Sequence, residues 1–152
     1  MFATDADAAS IGAVRRLAAS LAPTLPATNF RVEPVEQMSF DEAFADVVLS
    51  SAVLHFSHNE RHFSDMVHEM WRVLKPGGML FCRLASTIGM ESRMKPLGNG
   101  RYLLPDGSER YLVDEDILMR FTAALGGTLL DPIKTTVVQD QRCMTTWVLR
   151  KR

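Results

Sequence analysis

At 152 residues, with 47% hydrophobic and 23% charged side chains, the chain has enough apolar material for one globular core. Its formal net charge of −1 gives no general pull toward nucleic acid or anionic membrane. No apolar run approaches the ~20 residues of a membrane span, and no basic-then-apolar leader follows Met1, so a cytoplasmic location is expected. Cys82 and Cys143 sit in apolar runs without metal or redox spacing and are expected as buried, reduced thiols.

In chain order, Phe2-Ala3-Thr4-Asp5 ends a short strand. Asp7 then caps a helix with Ile11, Val14, Leu17, Ala18 and Leu21 as its apolar stripe, stopped by Pro23 and Pro26. Asn29 to Val35 is a second strand, weakened by Pro34. Asp46-Val47-Val48-Leu49 reads as a strand covered on both faces, ending in the small residues Ser50-Ser51-Ala52. Ser57 and Glu60 have capping-box spacing. Phe63, Met66, Val67, Met70, Trp71 and Leu74 follow at helical spacing, and Pro76-Gly77-Gly78 ends that helix. Met79 to Cys82 begins the next strand, completing a βαβ unit.

Residues 85–100 mix glycine, methionine and charge with weak periodicity. Two strand-like runs then flank Pro105-Asp106-Gly107-Ser108 as a hairpin. Asp114 caps a helix carrying Ile117, Leu118, Phe121 and Leu125, closed by Gly126-Gly127. Thr128 to Val138 and Cys143 to Leu149 are expected to pair antiparallel. The whole is one α/β domain over residues 1–152, doubly wound and mostly parallel with an antiparallel C-terminal hairpin. The Arg150-Lys151-Arg152 end is expected to be solvated and is too short to argue nucleic acid.

The run Phe44 to His55, followed by Glu69-Met70-Trp71-Arg72-Val73-Leu74-Lys75-Pro76-Gly77-Gly78, resembles the class I S-adenosylmethionine-dependent methyltransferases. The resemblance implies a Rossmann-like fold, S-adenosylmethionine as cofactor and methyl transfer to a small-molecule acceptor. It places Asp5 at the ribose hydroxyls, where an acceptor-only carboxylate suits two donors. The alternative is that Asp5 and Asp7 are both helix N-terminal acids. Val35 and Glu36 fall at the adenine, with Pro34 at the usual acidic position. Ser50 and Ser51 line the cofactor, and residues 85–113 cover the acceptor, with His55, Met90, Arg93 and Tyr102 as candidate lining.

His55 is the candidate catalytic base, set against a packing role at the strand exit. His58 and His62 share a helix face but lack a third metal ligand, so no metal is expected. The family's glycine-rich turn after a first strand is not found, and the chain reads as beginning at the second strand, N-terminally truncated. A trimmed start, a remnant with an interaction role, or a second chain filling the gap would each explain this. The competing function is a non-catalytic module, a homodimer joined along an exposed sheet edge.

Overall fold

The computed structural model describes residues 1–152 as an α/β chain in two compact units, Met1–Phe40 and Asp41–Arg152. The first is a βαβ unit. Strand β1 (Ala3–Asp5) leads into helix α1 (Ala8–Leu21), and β2 (Phe30–Val32) returns parallel to β1. Asp7 caps α1 as the sequence indicates, accepting from the amides of Ala9 and Ser10. Ile11, Ala18 and Phe30 form the core, with Ala3, Val14 and Leu25 packed against it. Leu17 and Leu21, expected on the buried stripe, are 59% and 75% exposed. Two three-residue strands cover only the seam through Ile11, Val14 and Ala18.

The second unit opens with β3 (Ala45–Ser51), a one-turn helix at Leu54–Phe56 and helix α2 (Glu60–Val73). The cap of α2 is Asn59, whose Oδ1 accepts from the His62 amide at 2.9 Å. Ser57, expected in that role, is buried and donates its hydroxyl to the Leu54 carbonyl at 2.6 Å. The apolar face of α2 is buried as its spacing predicts, from Phe63 to Trp71, each large side chain contributing about 1.5–3 kcal/mol of transfer free energy. Strand β4 (Leu74–Ser86) follows α2 directly. It takes up the Pro76-Gly77-Gly78 break inside an irregular pairing with β3, where the register shifts between Ala45 and Val47. A side chain at Gly78 would meet the carbonyl oxygens of Lys75 and Asp46 within 3 Å, so only glycine fits this close approach.

Beyond β4, strands β5 (Lys95–Gly98), β6 (Arg101–Leu103) and β7 (Glu109–Tyr111) form a small antiparallel sheet. The expected hairpin is its β6–β7 half. Helix α3 (Glu115–Ala124) is capped by Asp114. Strands β8 (Thr128–Leu129) and β9 (Lys134–Val138) both pair antiparallel with β10 (Arg142–Arg150). The expected Thr128–Val138 strand is thus two strands, divided around Pro132. Gln139 and Asp140, both at positive φ, make the tight β9–β10 turn.

The larger sheet has the order β3-β4-β10-β8, with β9 also on β10. Alternation sorts its two faces. Ser50 stands opposite Cys82 and Cys82 opposite Trp147. The Trp147 indole donates to Thr122 Oγ1 of α3 at 3.0 Å, so that face carries helix. Val47, Leu49, Phe81 and Arg83 project from the other face. Leu49 is 69% and Val47 53% exposed, so this face of β3, which is also the edge strand of the sheet, is open where the sequence pattern predicts cover on both faces.

Candidate functional site

In the first unit the carboxyl end of β1 delivers Asp5. Its Oδ1 accepts from the Asp7 amide at 2.8 Å, an Asx turn that fixes the carboxylate and leaves Oδ2 without a partner. Asp7 is fully engaged at the start of α1, and its hydrogen bonds to Ser10 and Ala9 hold its carboxyl below the usual range. Asp7 is thus the cap that the sequence indicates, and Asp5, which takes no part in capping α1, keeps one carboxylate oxygen unspent. The β1–α1 connection, Ala6-Asp7, contains no glycine. Past β2, Glu33 is taken by Ser39, whose amide and hydroxyl both donate to its carboxylate, and Arg31 donates to the same hydroxyl. That clasp closes the loop carrying Val35, half-buried, and Glu36, exposed.

In the second unit Ser50 and Ser51 end β3, at the carboxyl edge where open α/β sheets take ligands. Ser50 is buried, and its Oγ is the one buried side-chain polar atom without a hydrogen-bond partner. An orphaned hydroxyl costs about 1–3 kcal/mol unless a ligand or water meets it, so the end of β3 suits a polar ligand. Ala52 follows at φ +61°, a strained value for a residue with a side chain, held by the hydrogen bond that its N–H donates to the Arg83 carbonyl at 2.8 Å.

His55 is buried just beyond. Its Nδ1 accepts from the Ala85 amide at 3.2 Å, capping β4 where β3 has ended. The ring proton is therefore on Nε2. Burial, then the guanidinium groups of Arg110, Arg142 and Arg83, pull its pKa down to about 4. At neutral pH it is an uncharged donor whose acceptor nitrogen is already in use.

Of the other candidate lining residues, Met90 is buried with Ala85, Met94, Leu104, Leu112, Cys143 and Met144, and Tyr102 packs against that cluster. Arg93 pairs with Asp140 at 3.0 Å. His62 Nδ1 accepts from the His58 amide at 3.3 Å, so part of that pair is used within the helix start. The arginines around His55 escaped sequence reasoning because they come from three different strands. No spacing in the chain announces them.

The sequence matches the family described as "Methyltransferase domain" over residues 1–82. No curated protein matches it. Among solved structures, a protein of Pyrococcus horikoshii superposes with a TM-score of 0.76 at 14% identity, covering 98% of this chain and 70% of that one. A structure described as SAM-dependent methyltransferases from Methanosarcina mazei gives 0.73 at 19% identity, covering 97% and 80%. The Burkholderia thailandensis 1,6-didemethyltoxoflavin-N1-methyltransferase, with bound 1,6-didemethyltoxoflavin and S-adenosylhomocysteine, gives 0.66 at 18% identity. This chain is 90% covered there but spans only 55% of that protein's length. At such identities the structural likeness establishes the fold, while the family match extends over more than half of the chain. The chain belongs to the methyltransferase-domain family, with the Rossmann-like fold of the class I S-adenosylmethionine-dependent methyltransferases.

Proposed function

We propose that the protein binds S-adenosylmethionine and directs its methyl group to a small-molecule acceptor. The observation that carries the reading is Asp5, a carboxylate fixed at the carboxyl end of β1 with one oxygen free to accept from a ribose hydroxyl. Val35 and Glu36 frame the adenine, and Ser50 and Ser51 line the methionine end, where the unpartnered Ser50 hydroxyl supports a polar ligand. When bound, the cofactor supplies a methyl group on a sulfonium, already a good leaving group, so the protein's contribution is alignment more than proton transfer. His55 fits that division of labour. As a neutral imidazole with its proton on Nε2 it orients the acceptor by donation. Residues 85–113 cover the acceptor, and the buried, unpaired Cys82 and Cys143 support a reducing, cytoplasmic setting.

Calorimetric titration of the 152-residue chain with S-adenosylhomocysteine, repeated with Asp5→Ala, tests the reading. Micromolar binding weakened ten-fold or more by the substitution, ~1.4 kcal/mol, is expected. A folded, cooperatively melting chain that gives no heat would refute unaided cofactor binding. A second reading, a non-catalytic module that dimerises along a strand edge, is favoured by one observation, the open and apolar outer side of β3.

A further inference from the structure

The second unit concentrates guanidinium groups around His55. On the β4–β10 ladder Ala85 stands opposite Met144 and Arg83 opposite Thr146, while Arg142 opens β10. Side chains two apart on a strand share a face. Arg83 and Arg142 therefore leave the sheet on the same side, flanking the Ala85–Met144 rung whose amide holds His55. Arg110 reaches the same place from β7. Its guanidinium lies 4.8 Å over the Phe56 ring, and the Phe56 and His55 ring centroids are 4.8 Å apart.

The charges do not cancel. Asp106 is the carboxylate paired within this group, its Oδ2 3.0 Å from Arg142 and its Oδ1 accepting from Ser108. Arg110 donates one N–H to the Glu109 carbonyl at 2.7 Å and otherwise stacks on Phe56. Arg83 is exposed and enters no ion pair. His55 is neutral, so positive charge is in surplus around a buried imidazole that gains nothing from it. A stacked guanidinium keeps its donor edge open, and the planar fork matches two oxygens of a carboxylate or phosphate.

We infer that Arg83, Arg110 and Arg142 form an anion subsite beside His55 that reads a carboxylate or phosphate group on the methyl acceptor. The assignment deepens, and rests on, the methyl-transfer reading above. The Nε2–H of His55 adds a neutral donor to the three cations, and Asp106 orients Arg142 without neutralising the cluster.

The test is an NMR titration of the isotope-labelled chain, following arginine Nε–Hε and His55 Cε1 resonances. Sodium phosphate and sodium benzoate are added in parallel at constant ionic strength, with and without saturating S-adenosylhomocysteine. Saturable shifts at the three arginines, a His55 pKa raised by the bound anion, and ten-fold weaker binding in Arg83→Gln and in Arg110→Gln are expected. The probe that saturates at the lower concentration identifies the group read. Linear, non-saturating shifts, or equal affinity in wild type and in the exposed, unpaired Arg83→Gln variant, would overturn the subsite. Arginine-dependent anion binding by a chain that never binds S-adenosylhomocysteine would overturn its assignment to a methyl acceptor while leaving the anion chemistry in place.

Discussion

His55 shows how far environment governs a single residue. From sequence it is a histidine in the window where this family meets its acceptor. In the fold its Nδ1 is committed to the Ala85 amide, and burial with nearby guanidiniums keeps it neutral. Its pKa is about 4 in the folded chain against about 6.5 in an unfolded one. Between those values the unfolded chain binds the proton and the native chain does not, so stability rises with pH across the window. It is fully present above about pH 6.5 and is lost as pH falls toward 4, to the extent of up to about 3 kcal/mol. His55→Gln keeps an acceptor for the Ala85 amide but does not titrate. Thermal melts from pH 4 to 8 should therefore show the variant losing much less stability at the acid end than wild type does. Parallel melting curves for the two proteins would show that His55 is not the group responsible.

At the scale of elements, α2 is where sequence and structure agree most and where the differences teach most. Its apolar face needed only periodicity, because burial of one stripe dictates the 3.6-residue repeat. Its ends depended on competition between neighbours. Asn59 outcompetes Ser57 as cap because the Ser57 hydroxyl is spent on the buried Leu54 carbonyl. At the other end, Lys151 abandons the solvated tail expected of it. Its Nζ donates to the carbonyls of Trp71 and Leu74 at 2.6 and 2.9 Å and lies 5.8 Å over the Trp71 ring. These are the unpaired carbonyls of a helix terminus, where a cation also meets the negative end of the helix dipole. Lys151→Ala should destabilise the protein by about 1–2 kcal/mol in urea unfolding, with Arg152→Ala nearly neutral. A Lys151→Ala variant as stable as wild type would show that the lysine contacts carry no stability.

For the molecule as a whole, the open side of β3 matters most. A seven-residue edge strand bearing exposed Val47 and Leu49 is a template for pairing with another chain, blunted here only by the exposed Asp46–Lys75 ion pair. Sedimentation velocity should show self-association that grows with protein concentration, and Leu49→Lys should return the chain to a monomer without lowering its melting temperature. A monomer at every concentration would remove the dimer reading and leave the edge to other partners.

The sequence by itself determined whatever is local. The caps at Asp7 and Asp114, the buried face of α2, the β6–β7 hairpin and the alternation of strand and helix all follow from periodicity, caps and turn residues within a few positions. The family resemblance was legible for the same reason, in one contiguous strand-helix-strand stretch. Asp7 was legible as the cap of α1, while only the fold shows that Asp5, the other acid at that turn, keeps one carboxylate oxygen unspent. Tertiary structure alone decided that β3 is an edge, that the Ser50 hydroxyl has no partner, and that arginines from β4, β7 and β10 converge on His55. Those features join residues up to 87 positions apart (His55 to Arg142), and such meetings are set by strand order and register, which no short-range pattern in the chain encodes.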